Sequence, residues 1–494
     1  MIHRQSFEAA HTEGRAARAT LQFRVARGVI RSGLVLAILS LPAWAQAPAA
    51  QPDAQPAASQ AAGPQAAAQS TDDKLEQLQK KVDELDQAVK AAQRKQELAE
   101  QAAAEKAKTD ATVTAGTSGF TIRSPRGNYL LKIGADLQVD NRTYLGVGAG
   151  SDIDTVVLRR VRPTFSGTIY QYIDFMFRPD FGQGTTAIYD AYVQLNYLPW
   201  ANLRVGKFKP PVGLERLQND DDTSFVERGL PSNLAPQRDI GYQLSAPLFK
   251  QRIYYAVSTF NGVPDASIGS DTAASDHRDY AARLFLTPFL PDENALSGLG
   301  IGFAASGGNT DGEALPSFKT FGQETFFTFA SGVTAAGHRT RLAPQGYYYL
   351  GAFGLLTEYA LNEEGFQKSG VRREIAFRAY QVQASYILTG EKKSYGGPTP
   401  KKSFDPMHGG WGAWEIAARL GDWEAEKGVY SYGLVSSAVS PRHLHEWTGG
   451  VNWYLNRLFR FSADYGKTNF GGGAANSNKL PERAIIFRFQ INFI

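Results

Sequence analysis

The stretch Ile485-Ile486-Phe487-Arg488-Phe489-Gln490-Ile491-Asn492-Phe493 decides the fold. Ile485, Phe487, Phe489, Ile491 and Phe493 share one face, and Arg488, Gln490 and Asn492 share the other. A period of two is the period of a β-strand. An apolar row with three phenylalanines backed by a polar row suits a wall with lipid outside and water inside. A closing strand of this kind is what a barrel needs, because its last strand pairs with its first.

The same pattern recurs at the other end of the segment. Tyr129, Leu131, Ile133, Ala135, Leu137 and Val139 oppose Lys132, Asp136, Gln138 and Asp140. Between the two lie Tyr189, Ala191, Val193 and Leu195 against Asp190, Tyr192 and Gln194, then Ile253, Tyr255 and Val257 ahead of an Asn261-Gly262 turn. Further on, Trp414, Ile416, Ala418 and Leu420 oppose Glu415 and Arg419, and Phe459, Phe461, Ala463 and Tyr465 oppose Arg460 and Asp464. About a dozen such segments in residues 119–494, at about 10 residues each plus turns and loops, predict an all-β transmembrane, antiparallel outer-membrane barrel of 14 to 18 strands, with 16 the central value. Tyr and Trp near segment ends fit interfacial girdles.

Composition agrees. The 494 residues are 43% hydrophobic, 20% charged and 12% aromatic, with 49 Gly and no Cys. Beyond residue 45 no apolar run reaches the roughly 20 residues of a spanning helix. Only a closed sheet satisfies its backbone in lipid, so the strands predict closure.

The N-terminal part is of different character. Six arginines in residues 1–31, the apolar core Gly33–Leu41 and the site Ala43-Trp44-Ala45 read as a signal peptide, residues 1–45. Residues 46–70 are Ala, Gln and Pro with little charge, a tether. Over 71–110, Leu75, Leu78, Val82, Leu85 and Val89 alternate steps of three and four, a coiled-coil seam. Three heptads are short for a lone coiled coil, so a trimeric stalk in the periplasm is one reading and a single spacer helix the other.

Charge placement carries the functional expectation. Of 52 basic and 48 acidic residues, 6 and 2 fall in residues 1–45 and 8 and 11 in 46–118, which leaves 38 and 35 in 119–494. The net +3 of that part announces neither an anion channel nor a nucleic-acid partner. Parity is more informative. In Val156–Ile169 the apolar face is Val157, Val161, Phe165 and Ile169, so Arg160 and Arg162 point to the lumen. Arg178 and Lys132 join them by the same rule. Arg159 has lipid-facing parity and requires an interface, a neighbouring subunit or a bulge. Guanidinium groups along a wet wall offer bidentate forks to phosphate or carboxylate. Lumen carboxylates such as Asp136, Asp174 and Asp190 leave open a merely wet, mixed-charge pore.

Residues 210–239 break the alternation. Pro210-Pro211 ends a strand, and a long loop with the polar run Asn219-Asp220-Asp221-Asp222 follows. Folded inward, it would bring Lys207, Lys209, Arg216, Arg228 and Arg238 to a constriction, although Lys207 and Lys209 share the parity of Leu203 and Val205. No G-x-S-x-G elbow occurs, and His443 and His445 lack a third nearby ligand, so neither an enzyme nor a metal or cofactor is expected.

Several runs resemble the phosphate-selective porin O and P family. They are Leu158-Arg159-Arg160-Val161-Arg162, Gly206-Lys207-Phe208-Lys209-Pro210-Pro211-Val212-Gly213-Leu214-Glu215, Glu227-Arg228-Gly229-Leu230-Pro231 and Gly409-Gly410-Trp411-Gly412-Ala413-Trp414-Glu415. The resemblance implies a 16-stranded homotrimer in outer-membrane lipid that passes phosphate, polyphosphate or related anions. It implies an arginine ladder including Arg159 and Arg160 and a constriction lysine at Lys207 or Lys209. Two further readings stand beside it: a weakly selective general-diffusion porin, and a structural envelope protein whose helix reaches toward the cell wall.

Overall fold

The computed structural model describes residues 64–493 apart from residues 118, 147–152, 271, 274, 291, 293 and 474–479. The expected signal peptide and residues 46–63 of the expected tether lie outside the described residues. Two units are distinguished, one ending at Asp110 and one beginning at Ala111.

The first unit contains helix α1 (Pro64–Thr109), 46 residues and so about 69 Å long. It starts within the stretch read as a tether, since Ala and Gln there favour helix once Pro64 opens the first turn. Its seam residues Leu75, Leu78, Val82, Leu85 and Val89 are 51–64% exposed. Lys80–Glu76 and Lys90–Asp86 pairs, at 3.4 and 2.7 Å, support it from the side.

The second unit is built from β1 (Thr112–Gly116), β2 (Gly119–Arg123), β3 (Leu130–Tyr144), β4 (Thr155–Ile169), β5 (Ile173–Asp180), β6 (Ala187–Leu198), β7 (Ala201–Phe208), β8 (Asp239–Leu248), β9 (Ile253–Phe260) and β10 (Asp279–Leu286). It continues with β11 (Leu299–Asp311), β12 (Phe318–Lys319), β13 (Thr325–Phe327), β14 (Val333–Leu350), β15 (Phe353–Lys368), β16 (Val371–Ile387), β17 (Ala413–Ala425), β18 (His443–Tyr454), β19 (Phe459–Gly471) and β20 (Glu482–Asn492). Strands β3–β11 and β14–β20 form a closed antiparallel barrel of 16, each paired with its sequence neighbour. Closure is made by β20 on β3, with Phe489 opposite Val139 and Arg488 opposite Asp140. Hairpin β1–β2 extends the wall along the start of β3, with Phe120 opposite Ile133. Among the described residues no helix is long and apolar enough to cross a membrane; the strands are the crossing elements.

The parity read from β20 and β3 is the parity of the wall. Phe487 is 52% exposed on the outside, while Arg488 and Asp140 are buried inside. Rings collect at both ends of the outer face. At the end of the β4–β5 and β6–β7 turns, Tyr172 stacks on Tyr197 at 5.0 Å and Trp414 on Trp453 at 5.0 Å. Toward the other end, Trp447 meets Tyr465 at 5.1 Å. These are the amphipathic belts of the two membrane interfaces.

Two residues of the parity reading depart from simple alternation, both at bulges. The β3–β4 register pairs Gln138 with Arg160 and Val139 with Leu158, so Arg159 is the extra residue. One extra residue shifts the frame. Val157, expected outside with Val161, therefore pairs with inward-facing Asp140. The β5–β6 register likewise skips Tyr189 between Asp190 and Ile188. Its ring turns inward beneath the guanidiniums of Arg162 and Arg238, at 4.0 and 4.3 Å, rather than outward with Ala191. The Asn261-Gly262 pair is not a tight hairpin turn either. It opens the long connection from β9 to β10.

Candidate functional site: the bore and its inward loop

The connection from β7 to β8, residues 209–238, runs against the inner wall. Its backbone is held by side chains from strands far apart in sequence. Glu358 of β15 accepts from Leu214 N at 2.6 Å, Asp464 of β19 accepts from Val226 N at 2.6 Å, and Asn452 of β18 donates to Ser224 O at 2.7 Å. Arg460 donates to Thr223 O at 2.9 Å and Arg488 to Val226 O at 2.6 Å. A second connection, between β11 and β14, is tied in the same manner: Glu446 accepts from Phe321 N and Glu482 from Gly322 N, each at 2.9 Å. Its hairpin β12–β13 sets Phe318, Phe326 and Phe327 against Trp423 and Phe377 of the inner wall. From the opposite end, Lys393 of the β16–β17 connection reaches Ser224 at 2.9 Å and Glu415 at 2.6 Å.

Two loop carboxylates insert into groups of arginines. Asp220 meets Arg160 at 3.2 Å and also pairs with Arg162 and with Arg228 of its own loop. Arg162 additionally holds Asp180 at 2.7 Å. Glu227 takes a two-point fork from Arg159, at 2.6 and 3.0 Å, and meets Arg488 at 3.3 Å and Arg142 at 3.6 Å. The bulge gives Arg159 this inward reach. Burial works to raise both loop carboxyls, and the surrounding guanidiniums outweigh it, holding Asp220 and Glu227 well below the usual carboxylate range. Neighbouring Asp222 goes the other way: burial and Asp221 push its carboxyl up to about 6.

The remaining predicted residues are dispersed. Arg228 donates to Glu215 O at 2.9 Å and Gln218 O at 2.6 Å, bracing the loop from within. Lys209 lies past the end of β7 and donates to Gln218 O at 2.8 Å; burial and then Arg228 pull its amine well below the ordinary lysine value. Lys207 pairs with Ala191 and Ile240 at the end of β7, yet its side chain is buried and donates to Gly269 O at 2.7 Å in the β9–β10 connection. Lys132 stands on inward parity beside Ser166, near the start of β3 and apart from the arginine groups. Arg178 donates to Thr164 at 2.9 Å and meets Asp190 at 3.6 Å.

A cavity of about 80 Å³ remains beside the loop, lined by Arg178, Arg204, Arg238, Arg283 and Lys209 with Asp190 as the one acid among its lining residues. Tyr192, Phe208 and Tyr254 supply its aromatic surface. Arg204, Arg238 and Arg283 stand outside the resemblance-based ladder. Parity against Leu203, Val205, Leu284 and Leu286 already turns Arg204 and Arg283 inward, but no sequence signal tells which arginines carry a carboxylate partner.

A closed wall with a wet, charged interior and an apolar, ring-belted exterior defines an outer-membrane channel. The family model for phosphate-selective porin O and P matches residues 129–493, and the chain belongs to that family. It is 25% identical over 409 residues to Porin O of Pseudomonas aeruginosa, covering 76% of this chain and 91% of that one. The outer membrane channel DcaP of Acinetobacter baumannii superposes with a TM-score of 0.51 at 9% identity, over 76% of this chain and 100% of that one. OmpT of Vibrio cholerae in its trimer form gives 0.46 at 10% identity, over 74% of this chain and 99% of that one. The protein is thus an outer-membrane porin, a channel and not an enzyme.

Proposed function

We propose that this porin passes small anions by passive diffusion, with phosphate or polyphosphate among them. The observation that carries the reading is the lining of the bore cavity, five cations against the single acid Asp190. Low-dielectric walls concentrate the field of such an excess and raise the local concentration of anions. The family's name points the same way. A weakly selective general-diffusion pore is the second reading, favoured by the saturation of Arg159, Arg160, Arg162 and Arg228 with carboxylates of the chain itself. Single-channel current across a planar bilayer under a salt gradient separates them. A reversal potential on the anion side supports the first; one near zero leaves general diffusion.

The proposal extends to assembly. The exposed seam of α1 supports a trimeric stalk, and with it a homotrimeric porin in outer-membrane lipid. The short β4–β5, β6–β7 and β14–β15 turns lie at the end of the barrel where β3 begins, which supports a periplasmic position for that end. A structural envelope role for the helix is compatible with the same geometry.

A further inference from the structure

We propose that the transported anion is bound by Arg204 and Arg283 of the bore cavity, and that the arginines around Asp220 and Glu227 serve chiefly to dock the loop. The proposal deepens the anion-diffusion reading and rests on it.

The arginines of the interior fall into two kinds. Those of the first kind are matched by carboxylates. Asp220 and Glu227 together engage Arg142, Arg159, Arg160, Arg162, Arg228 and Arg488. In the cavity, Asp190 engages Arg178 at 3.6 Å and Arg238 at 3.4 Å. Arg204 and Arg283 are of the second kind: among the described residues neither meets a carboxylate. Arg204 donates to the neutral Gln194 at 2.8 Å and lies over the rings of Tyr192 and Phe208, at 4.4 and 5.3 Å. Arg283 donates to the neutral Gln345 at 3.0 Å and lies over Phe285 at 4.7 Å. It is 7% exposed, and its Nε has no hydrogen-bond partner. A nearly buried guanidinium with an idle N–H and no counter-charge is costly to hold. An oxyanion supplies both what it lacks, an acceptor and a negative charge.

The register permits a shared ligand. Arg204 of β7 pairs with Gln243 of β8, and two residues on, Ser245 pairs with Ala256 of β9, which pairs with Arg283 of β10. The two arginines are therefore three strands and two residues apart, about 16 Å along the concave wall. Long side chains converge across such a curve. Both arginines line one cavity, with Gln243 and Tyr254 of the intervening strands in the same lining. The flat rings beneath steady each guanidinium, and the N–H groups not given to Gln194 or Gln345 remain for oxygen atoms, which favours phosphate or carboxylate over a spherical halide.

Block of the chloride current by inorganic phosphate tests this in the full-length protein. In the unaltered protein, phosphate is expected to block. Arg204→Gln with Arg283→Gln should weaken the block at least about tenfold, the loss of charge-assisted contacts. Arg283→Lys keeps the charge and loses the fork, so it should weaken block less while preserving assembly. Arg252→Gln, in the β8–β9 turn outside the cavity and paired with Asp292 at 3.1 Å, should leave block within about threefold. Equal block in the double variant and the unaltered protein would overturn the assignment. So would an anion-selective channel that phosphate never blocks, an outcome that spares the diffusion reading. Loss of anion preference in the unaltered protein sinks the diffusion reading itself.

Discussion

Asp220→Asn isolates the hold of the loop on the wall. The carboxylate is nearly buried and is shared by Arg160, Arg162 and Arg228. The amide keeps one acceptor oxygen but replaces the other by a donor that faces donors. It also leaves three guanidiniums within one group with no charge between them. Removing one partner of a buried charge cluster costs about 3–5 kcal/mol. That corresponds to a hundredfold or greater rise in the population with the loop detached, at about 1.4 kcal/mol per decade. Glu227, with Arg159, Arg488 and the backbone contacts of Val226, still tethers the far half of the loop, so the barrel itself should assemble normally. Trypsin reads the detachment, because Arg216 and Arg228 lie within the loop and are protected while it is docked. Limited digestion of the folded protein should cut the variant within residues 214–230 under conditions that leave the unaltered protein intact. The same variant adds one net positive charge to the bore, so its reversal potential should move further to the anion side. Unchanged digestion together with an unchanged reversal potential would refute the view that Asp220 is the counter-ion that docks the loop.

Other expectations concern the wall, the helix and pH. Phe489→Arg places a cation on the outer face, where the Phe489 ring meets Phe461 at 4.9 Å, and should cost about 2–4 kcal/mol and lower the yield of heat-modifiable barrel; normal yield would mean the facing is reversed. Removal of residues 71–110 should leave single-channel conductance intact while reducing the heat stability of the oligomer or the resistance of cells to detergent; unchanged values of both would leave α1 without an assembly or envelope role. The acids of the loop predict a maximum of loop protection between about pH 4 and 6, measured as amide exchange corrected for its intrinsic rate. Asp222, raised to about 6, gains a proton in the folded state as pH falls from 6 toward its ordinary value near 4, which stabilises. Asp220 and Glu227 are lowered, so their contribution is complete above about pH 4 and is lost as pH falls below it. Asp222→Asn should abolish the gain between pH 7 and 5 and spare the loss below 4.

Strand facing was legible because burial on one side and lipid on the other leave a period of two in nearly every segment, as in β3 and β20. What alternation could not show were the two bulges. A residue added to one strand leaves the sequence pattern locally intact and moves only the pairing, so Tyr189 read as outward when it reaches inward, and for Arg159 a bulge was one of three readings left open. The run Asn219–Asp222 was visible as polar, but that Asp220 neutralises Arg160 and Arg162 depends on a contact across about 60 residues of chain. The same limit hid the importance of Arg204 and Arg283. Parity turned them inward, and only the absence of a carboxylate near them, a property of the folded interior, sets them apart from Arg160 and Arg162.

The pairing of β20 with β3 has a kinetic consequence. Gln138 and Gln490, hydrogen-bonded at 3.2 Å, are 352 positions apart. Closing a flexible loop of that length costs about 5 kcal/mol of chain entropy before any barrel contact offsets it. Among the described residues every other barrel pair joins consecutive wall strands, β11 and β14 across the β12–β13 connection, and these can form as a growing ribbon, so the seam is the step of highest contact order. Until it forms, β3 and β20 each present a bare edge, and each is a template for pairing with another chain. The interval between ribbon and ring is therefore when this porin is most exposed to aggregation, and a factor that shields either edge would raise its assembled yield without altering the finished barrel.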